Sequence, residues 1–298
     1  MIQPLPQGAK REHAERVFSS IKLRDNLFLW VVMGLISFLW LYPIFWVLTA
    51  AFKDNAEVFT AGANLIPQNP VGFDNFVRAW RVANFSQYFG NSVFYGIGAV
   101  VVAVVRSILA GYVLARYNFP GKWMFIGLVT ATGFIPVEGS IIPEFQLVNW
   151  FDKNLFPILN TPYVVPIVQG AQSSLWVLLY MGAFRAIPNE MFEAAEVDGA
   201  NFWQKFTLSL PLVLPVTVTV VIFQFIRSWE DVLTPIIYVQ SNPALRNLQS
   251  GLLAFRGENA TDWVGLSAAI VIAILPVIVL FLAMQRFFVN AIAGSVKG

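Results

Sequence analysis

The sequence holds no cysteine and a single histidine, His13. Disulfides and thiolate metal sites are therefore excluded. A His/Glu metal cluster needs more than one histidine, and a Ser-His-Asp relay has none outside the polar N-terminal tail. Charge is scarce too: Asp, Glu, Lys and Arg make up 12% of the 298 residues, against about 25% in soluble domains. The formal net charge of +2 argues for neither nucleic acid nor an acidic ligand. There is no Gly-x-x-x-x-Gly-Lys-Ser/Thr loop, because Gly121-Lys122 is followed by Trp123 and lacks the upstream glycine. ATP binding, if it powers this protein, belongs to another chain. No catalytic group, metal site or bound cofactor is expected in this one.

What the sequence has is apolar surface. Hydrophobic residues are 57% of the chain, with 27 Phe and 10 Trp, and the mean hydropathy is +0.65. A spanning helix needs about 20 mostly apolar residues. Six stretches qualify: Leu27 to Ala51, Tyr88 to Ala115, Trp123 to Val137, Tyr163 to Phe184, Leu212 to Val239 and Val264 to Phe288. The third is short and is followed by Pro136, Gly139 and Pro143. The first is too long for a cleaved signal's apolar core of about 7–15 residues and is expected to remain as a helix. Lys10, Arg11, Arg16, Lys22 and Arg24 crowd the N-terminal tail. The positive-inside rule then puts both ends in the cytoplasm. The expected plan is a tail over 1–26, a six-helix membrane domain over 27–288 and a tail over 289–298.

The longest inner segment between helices, 185–210, is not a plain connector. Asn189 after Pro188 is placed to cap a helix. Glu190, Glu193 and Glu196 recur every three residues near its positive start. Met191, Phe192 and Ala195 form an apolar stripe, and Gly199 can end the helix in the left-handed conformation. Phe202, Trp203 and Phe206 mark a second short helix, and Pro211 is expected to open the next span. A helix lying on anionic lipid favours Lys and Arg on its polar face. This one carries acids, which suits a basic protein partner.

Ionisable residues inside spans are expensive and stand as functional candidates. Arg106 lies nine residues (115 − 106) from the inner end of the second stretch, ~14 Å deep at 1.5 Å per residue. It either faces a translocation path or pairs with a carboxylate or backbone carbonyl of a neighbouring helix. Arg227 can meet Glu230 and Asp231 at i, i+3 and i, i+4, as a mutual salt bridge or as part of a polar lining with Gln224, Trp229 and Tyr238. Such a mix of aromatic faces and hydrogen-bonding groups suits sugars. Glu138 is a further candidate, or a solvated outer-loop carboxylate.

The inner loop resembles the Glu-Ala-Ala loop of ATP-binding-cassette importer permeases, through Glu193-Ala194-Ala195, Asp198-Gly199-Ala200 and Leu210-Pro211. Pro211 comes one residue sooner after the glycine than the family spacing. Pro70 to Phe76 with Asn91-Ser92, and Gly111 to Arg116 with Phe119-Pro120-Gly121, extend the likeness over nearly the whole chain. The end, Gly294-Ser295-Val296-Lys297-Gly298, resembles the Gly-Ala-Val-Lys-Gly tail of maltose-type sugar permeases. The family commonly has Trp-Asn where this chain has Trp229-Glu230.

The resemblance implies an all-α importer permease fold in the bacterial cytoplasmic membrane. Glu193, Ala194, Ala195, Asp198 and Gly199 would dock on a separate ATPase, the glutamate pairing with a basic residue there. The implied partners are a second homologous permease, two ATPase subunits carrying ATP and Mg, an extracytoplasmic solute-binding protein and membrane lipid, with no nucleic acid. The implied cargo is a sugar, oligosaccharide, polyol or sugar phosphate. The alternative is an ion-coupled secondary transporter, which would need midplane carboxylates and usually internal repeats.

Overall fold

The computed structural model describes residues 27–60, 65–68, 70–82, 84–257 and 261–295. Among these, no strand forms beyond one isolated bridge between Arg256 and Thr261. The chain is a bundle of helices, and its expected cytoplasmic tail over 1–26 lies outside the described residues.

Helix α1, Leu27–Ala50, is apolar along its whole length. Backbone N–H groups of the following turn close its end, and just beyond it the buried Asn75 donates its Nδ2 to the carbonyls of Ala51 and Lys53, each at 2.9 Å. That asparagine sits on α3, Asp74–Val82, which follows the short α2, Asn55–Thr60.

Helix α4, Phe85–Arg116, organises the bundle. Its 32 residues span ~48 Å at 1.5 Å per residue, well beyond a hydrocarbon core of about 30 Å. Gly96, Ala99, Ala103, Ser107 and Gly111 are buried along it at three- and four-residue steps. In lipid, where apolar burial alone does not drive helices together, such a small-residue stripe lets backbones approach. A β-carbon on Gly111 would lie 2.5 Å from Tyr180 Cβ, and one on Gly170 would lie 2.8 Å from the Ala99 carbonyl oxygen.

The third expected span is not one helix. Helix α5, Lys122–Gly133, has 12 residues, ~18 Å of helix. After Phe134-Ile135-Pro136 the chain turns into α6, Val137–Asn154, which holds Pro143. The region beyond residue 137 is therefore helical rather than a loop. The fourth span is bent: α7, Val164–Ala171, and α8, Leu175–Arg185, meet at 55°. Next come α9, Asn189–Val197, and α10, Phe202–Ser209. A 3₁₀ turn over Leu210–Val213 then leads into α11, Leu214–Glu230. Pro211 thus lies in that turn, and Pro215 occupies the first turn of the spanning helix instead.

Helix α11 stops at Glu230, earlier than the apolar run suggests. Pro235, four residues after Asp231, has no N–H to continue the ladder. The chain restarts as α12, Leu233–Tyr238, and a short α13, Leu248–Leu252, precedes the last helix. That helix, α14, Trp263–Ser295, contains Pro276 and runs past the expected boundary at 288. Among the described residues, four segments can cross a bilayer by length and composition: Leu29–Ala50, Phe85–Arg116, Phe202–Glu230 and Trp263–Ala283. The bent α7–α8 pair makes a fifth.

Candidate functional site

The segment 185–210 folds as a helix-turn-helix knob. Helix α9 buries no residue. Glu193, Ala194, Glu196, Val197, Asp198 and Gly199 are exposed, while Met191, Phe192 and Ala195 lean on the bundle. Val197 is 88% exposed, at the tip. Gly199 has φ +77°, the left-handed region. Its N–H donates to the Glu196 carbonyl at 3.0 Å and that of Ala200 to the Ala195 carbonyl at 2.9 Å. These two bonds make a Schellman motif, which closes α9 and satisfies its terminal carbonyls. Asn201 opens α10 with a capping box: its side chain accepts from Gln204 N at 3.0 Å, and Gln204 Oε1 accepts from Asn201 N at 2.7 Å.

Asn189 does not cap α9. Pro188 occupies the cap position without a side-chain hydrogen bond, and Asn189 Oδ1 instead accepts from Arg116 Nη1 at 2.7 Å. The knob rests on Tyr112 of α4. The Tyr112 ring meets Phe184 at 5.2 Å, Phe202 at 5.5 Å and Phe206 at 5.1 Å between centroids, all edge-to-face. Aromatic pairs favour that arrangement. Glu196 and Lys205 pair at 3.3 Å across the turn, with the glutamate 73% exposed. A pair so open to solvent contributes little; the aromatic seat holds the knob.

At the C-terminal end of α11 a cavity of about 430 Å³ opens between the broken helices. Gln169, Gln172, Arg227, Glu230, Asp231 and Thr234 give it polar walls. Asp231 is fixed from two sides, accepting from Gln169 Nε2 at 2.9 Å and from Thr234 N at 3.1 Å. Gln172 Nε2 donates to Glu144 on α6 at 3.1 Å. Arg227 makes no ion pair within 4.0 Å with Glu230 or Asp231, so the intrahelical salt bridge is absent among the described residues. The guanidinium is left to face the cavity. Broken helices with polar termini around a cavity are a recurrent solution for binding in a membrane.

The remaining predicted path residues are engaged elsewhere. Gln224 is fully buried; its Oε1 accepts from Trp176 Nε1 at 2.9 Å and its Nε2 donates to the Gln169 carbonyl at 3.1 Å. Trp229 donates its indole N–H to the Ala273 carbonyl at 3.0 Å in the core. Tyr238 packs on Phe145 at 5.7 Å. Arg106 Nη2 donates to the Ser173 carbonyl at 2.6 Å, where α7 and α8 break. It takes up the backbone-carbonyl alternative. The Glu138 side chain and the residues 296–298 of the tail lie outside the described residues.

The arrangement is that of a polytopic helical membrane protein with an exposed helical knob at 189–209 and a polar cavity at the far end of α11. Residues 92–294 match the family described as the binding-protein-dependent transport system inner membrane component, and the chain belongs to it. A probable ABC transporter permease, YurM of Bacillus subtilis, is 33% identical over 90% of this chain and 88% of its own. The diacetylchitobiose uptake permease NgcG of Streptomyces coelicolor is 30% identical over 95% and 89%. A crystal structure of a bacterial ABC transporter for import of the acidic polysaccharide alginate holds a chain of the same fold. It has a TM-score of 0.73 at 21% identity, covering 96% of this chain and 100% of that one. The chain is thus a membrane-spanning transport component of the importer class, and the ion-coupled alternative is set aside.

Two residues of the knob's seat, Tyr112 and Arg116, escape a reading of the sequence alone. Both stand in the Gly111 to Arg116 stretch that carries the family likeness, but their partners, from Phe184 to Phe206, are far away in the chain.

Proposed function

We propose that this chain is one of two permease subunits in an ATP-driven importer of the bacterial cytoplasmic membrane, carrying a saccharide inward. The observation that carries the reading is the exposed acidic face of α9, closed at Gly199 and seated on α4. A helix that buries nothing yet is closed by a full Schellman motif and an aromatic seat is rigid without a core of its own, as a docking element must be. Glu193, Glu196 and Asp198 present negative charge that complements a basic groove. ATP and Mg would be held by two partner ATPase subunits. Their closure would push on Glu193 to Gly199, and the helices would switch access to the cavity at Arg227 and Asp231. Such coupling requires only that the two states differ in affinity for the partner.

A solute-binding protein would deliver the cargo on the outer side. The saccharide assignment rests on the relatives named for diacetylchitobiose and for arabinooligosaccharides, and on a cavity whose amides and fixed carboxylate suit hydroxyl groups. The test is uptake into proteoliposomes rebuilt from both permeases, the ATPase and the binding protein, against a panel of neutral, acidic and amino oligosaccharides. ATP-dependent accumulation of a panel member supports the reading. Accumulation driven by an ion gradient without ATPase contradicts it.

A further inference from the structure

Beside the proposed docking face, one side chain ties α4 to the junction of α8 and α9. Helix α8 ends at Arg185, and the chain reaches α9 through Ala186-Ile187-Pro188. In a continuing helix the Phe184 carbonyl would accept from residue 188, but Pro188 has no N–H. The Phe184 carbonyl accepts from Ile187 N at 3.3 Å instead, and Arg116, the last residue of α4, adds a second donor to it. Its Nη2 donates to the Phe184 carbonyl and, at 2.6 Å, to that of Ile187. Its Nη1 donates to Asn189 Oδ1 at 2.7 Å. The guanidinium carbon also lies 3.9 Å from the centre of the Phe192 ring. One planar group thus touches the end of α8, the linker and the first turn of α9.

We propose that Arg116 is the positioning residue that makes α4, α8 and α9 one rigid lever, so that motion delivered to the docking helix reaches the spanning helices instead of being absorbed in the Ala186 to Pro188 linker. The geometry calls for arginine. Two carbonyls, an amide oxygen and a ring face are met at once by a flat fork with donors on two nitrogens. A lysine ammonium is a point charge without a stacking face. Phe192 occupies the side of the guanidinium that water would otherwise take, which strengthens the bonds to the carbonyls. The inference rests on the reading of α9 as the ATPase-docking helix.

The test uses the complete transporter in proteoliposomes with Arg116→Lys, Arg116→Ala and Asn189→Ala. Because the chain has no cysteine, cysteines introduced at the exposed Asn118 and Glu190 are its only labelling sites. Dipolar EPR between spin labels there reads the lever directly. The wild type is expected to keep one narrow distance with and without ATP. Arg116→Lys is expected to broaden it and to lower solute moved per ATP about fivefold or more, with ATPase subunits still co-purifying. Asn189→Ala, which removes one contact, should fall between. If Arg116→Ala is not recovered from the membrane, the other two variants carry the comparison. A distance as narrow as wild type in Arg116→Lys, or an unchanged ratio of uptake to ATP hydrolysed, overturns the proposal. The label distance is read whether or not α9 docks. A failure of docking, seen when Glu193→Lys leaves ATPase recovery intact, is therefore distinguishable from a failure of the lever.

Discussion

Asn247 donates its side-chain amide to the main-chain carbonyl of Asp231 at 2.6 Å, where Pro235 has no N–H to offer. The same asparagine caps α13, its Oδ1 accepting from Ser250 N at 3.1 Å and Ser250 Oγ at 2.6 Å. One side chain therefore closes the break after α11 and opens the next turn. Asn247→Asp keeps the accepting oxygen and loses the donor. Leaving that carbonyl unpaired costs about 1–3 kcal/mol. The expected result is a lowered thermal midpoint of the detergent-solubilised chain, followed by tryptophan fluorescence. Asn247→Ala is expected to lower it further, since the cap at α13 goes too.

Arg106 serves the other break. Its bond to the Ser173 carbonyl occupies an orphan acceptor between α7 and α8. Arg106→Ala is expected to destabilise the protein by about 1–3 kcal/mol, with Arg106→Lys recovering part of the loss. Melting curves check it. Normal melting with impaired uptake would instead place Arg106 on the transport path.

Gly199 separates backbone strain from side-chain clash. At φ +77° with open space where a β-carbon would stand, alanine meets only the left-handed penalty, about 1–2 kcal/mol. Gly199→Asn should be milder, because asparagine tolerates that region. Gly199→Pro should unseat α9 and abolish recovery of the ATPase. Ranking the three by ATPase co-purification tests whether the Schellman turn shapes the docking face.

Part of this is legible in the sequence, and the departures at polar residues share a cause. The acidic helix at Glu193 and the stop at Gly199 are local patterns, set by spacing and by glycine's freedom. Local rules place Asn189 as a helix cap and Pro211 at the start of a span, and the structure puts both elsewhere. Asn189 is drawn to Arg116 from α4, and Pro211 is absorbed in a 3₁₀ turn because Pro215 follows four residues on. Arg227 has acids at helical spacing, yet Asp231 is claimed by Gln169 and Thr234. Polar side chains take the partner that tertiary packing brings, and sequence spacing does not name it.

The cavity at the C-terminal end of α11 yields its own expectation. Arg227 faces it without an ion pair, so Arg227→Ala should leave folding and ATPase recovery intact. Uptake should need about tenfold more solute-loaded binding protein for half-maximal rate, as losing a charge-assisted hydrogen bond of about 1.5 kcal/mol implies. Initial uptake rates in proteoliposomes check it; an unchanged half-maximal concentration would remove Arg227 from the path.

The central claim is that the face from Glu193 to Gly199 docks on a separate ATPase, and Glu193→Lys addresses it most directly. Glu193 is exposed and the chain should insert normally. Reversing its charge in a complementary interface costs several kcal/mol. The measurement is ATPase recovered with the tagged, membrane-inserted permease. The account predicts a fall of about tenfold or more. Recovery equal to wild type would contradict it.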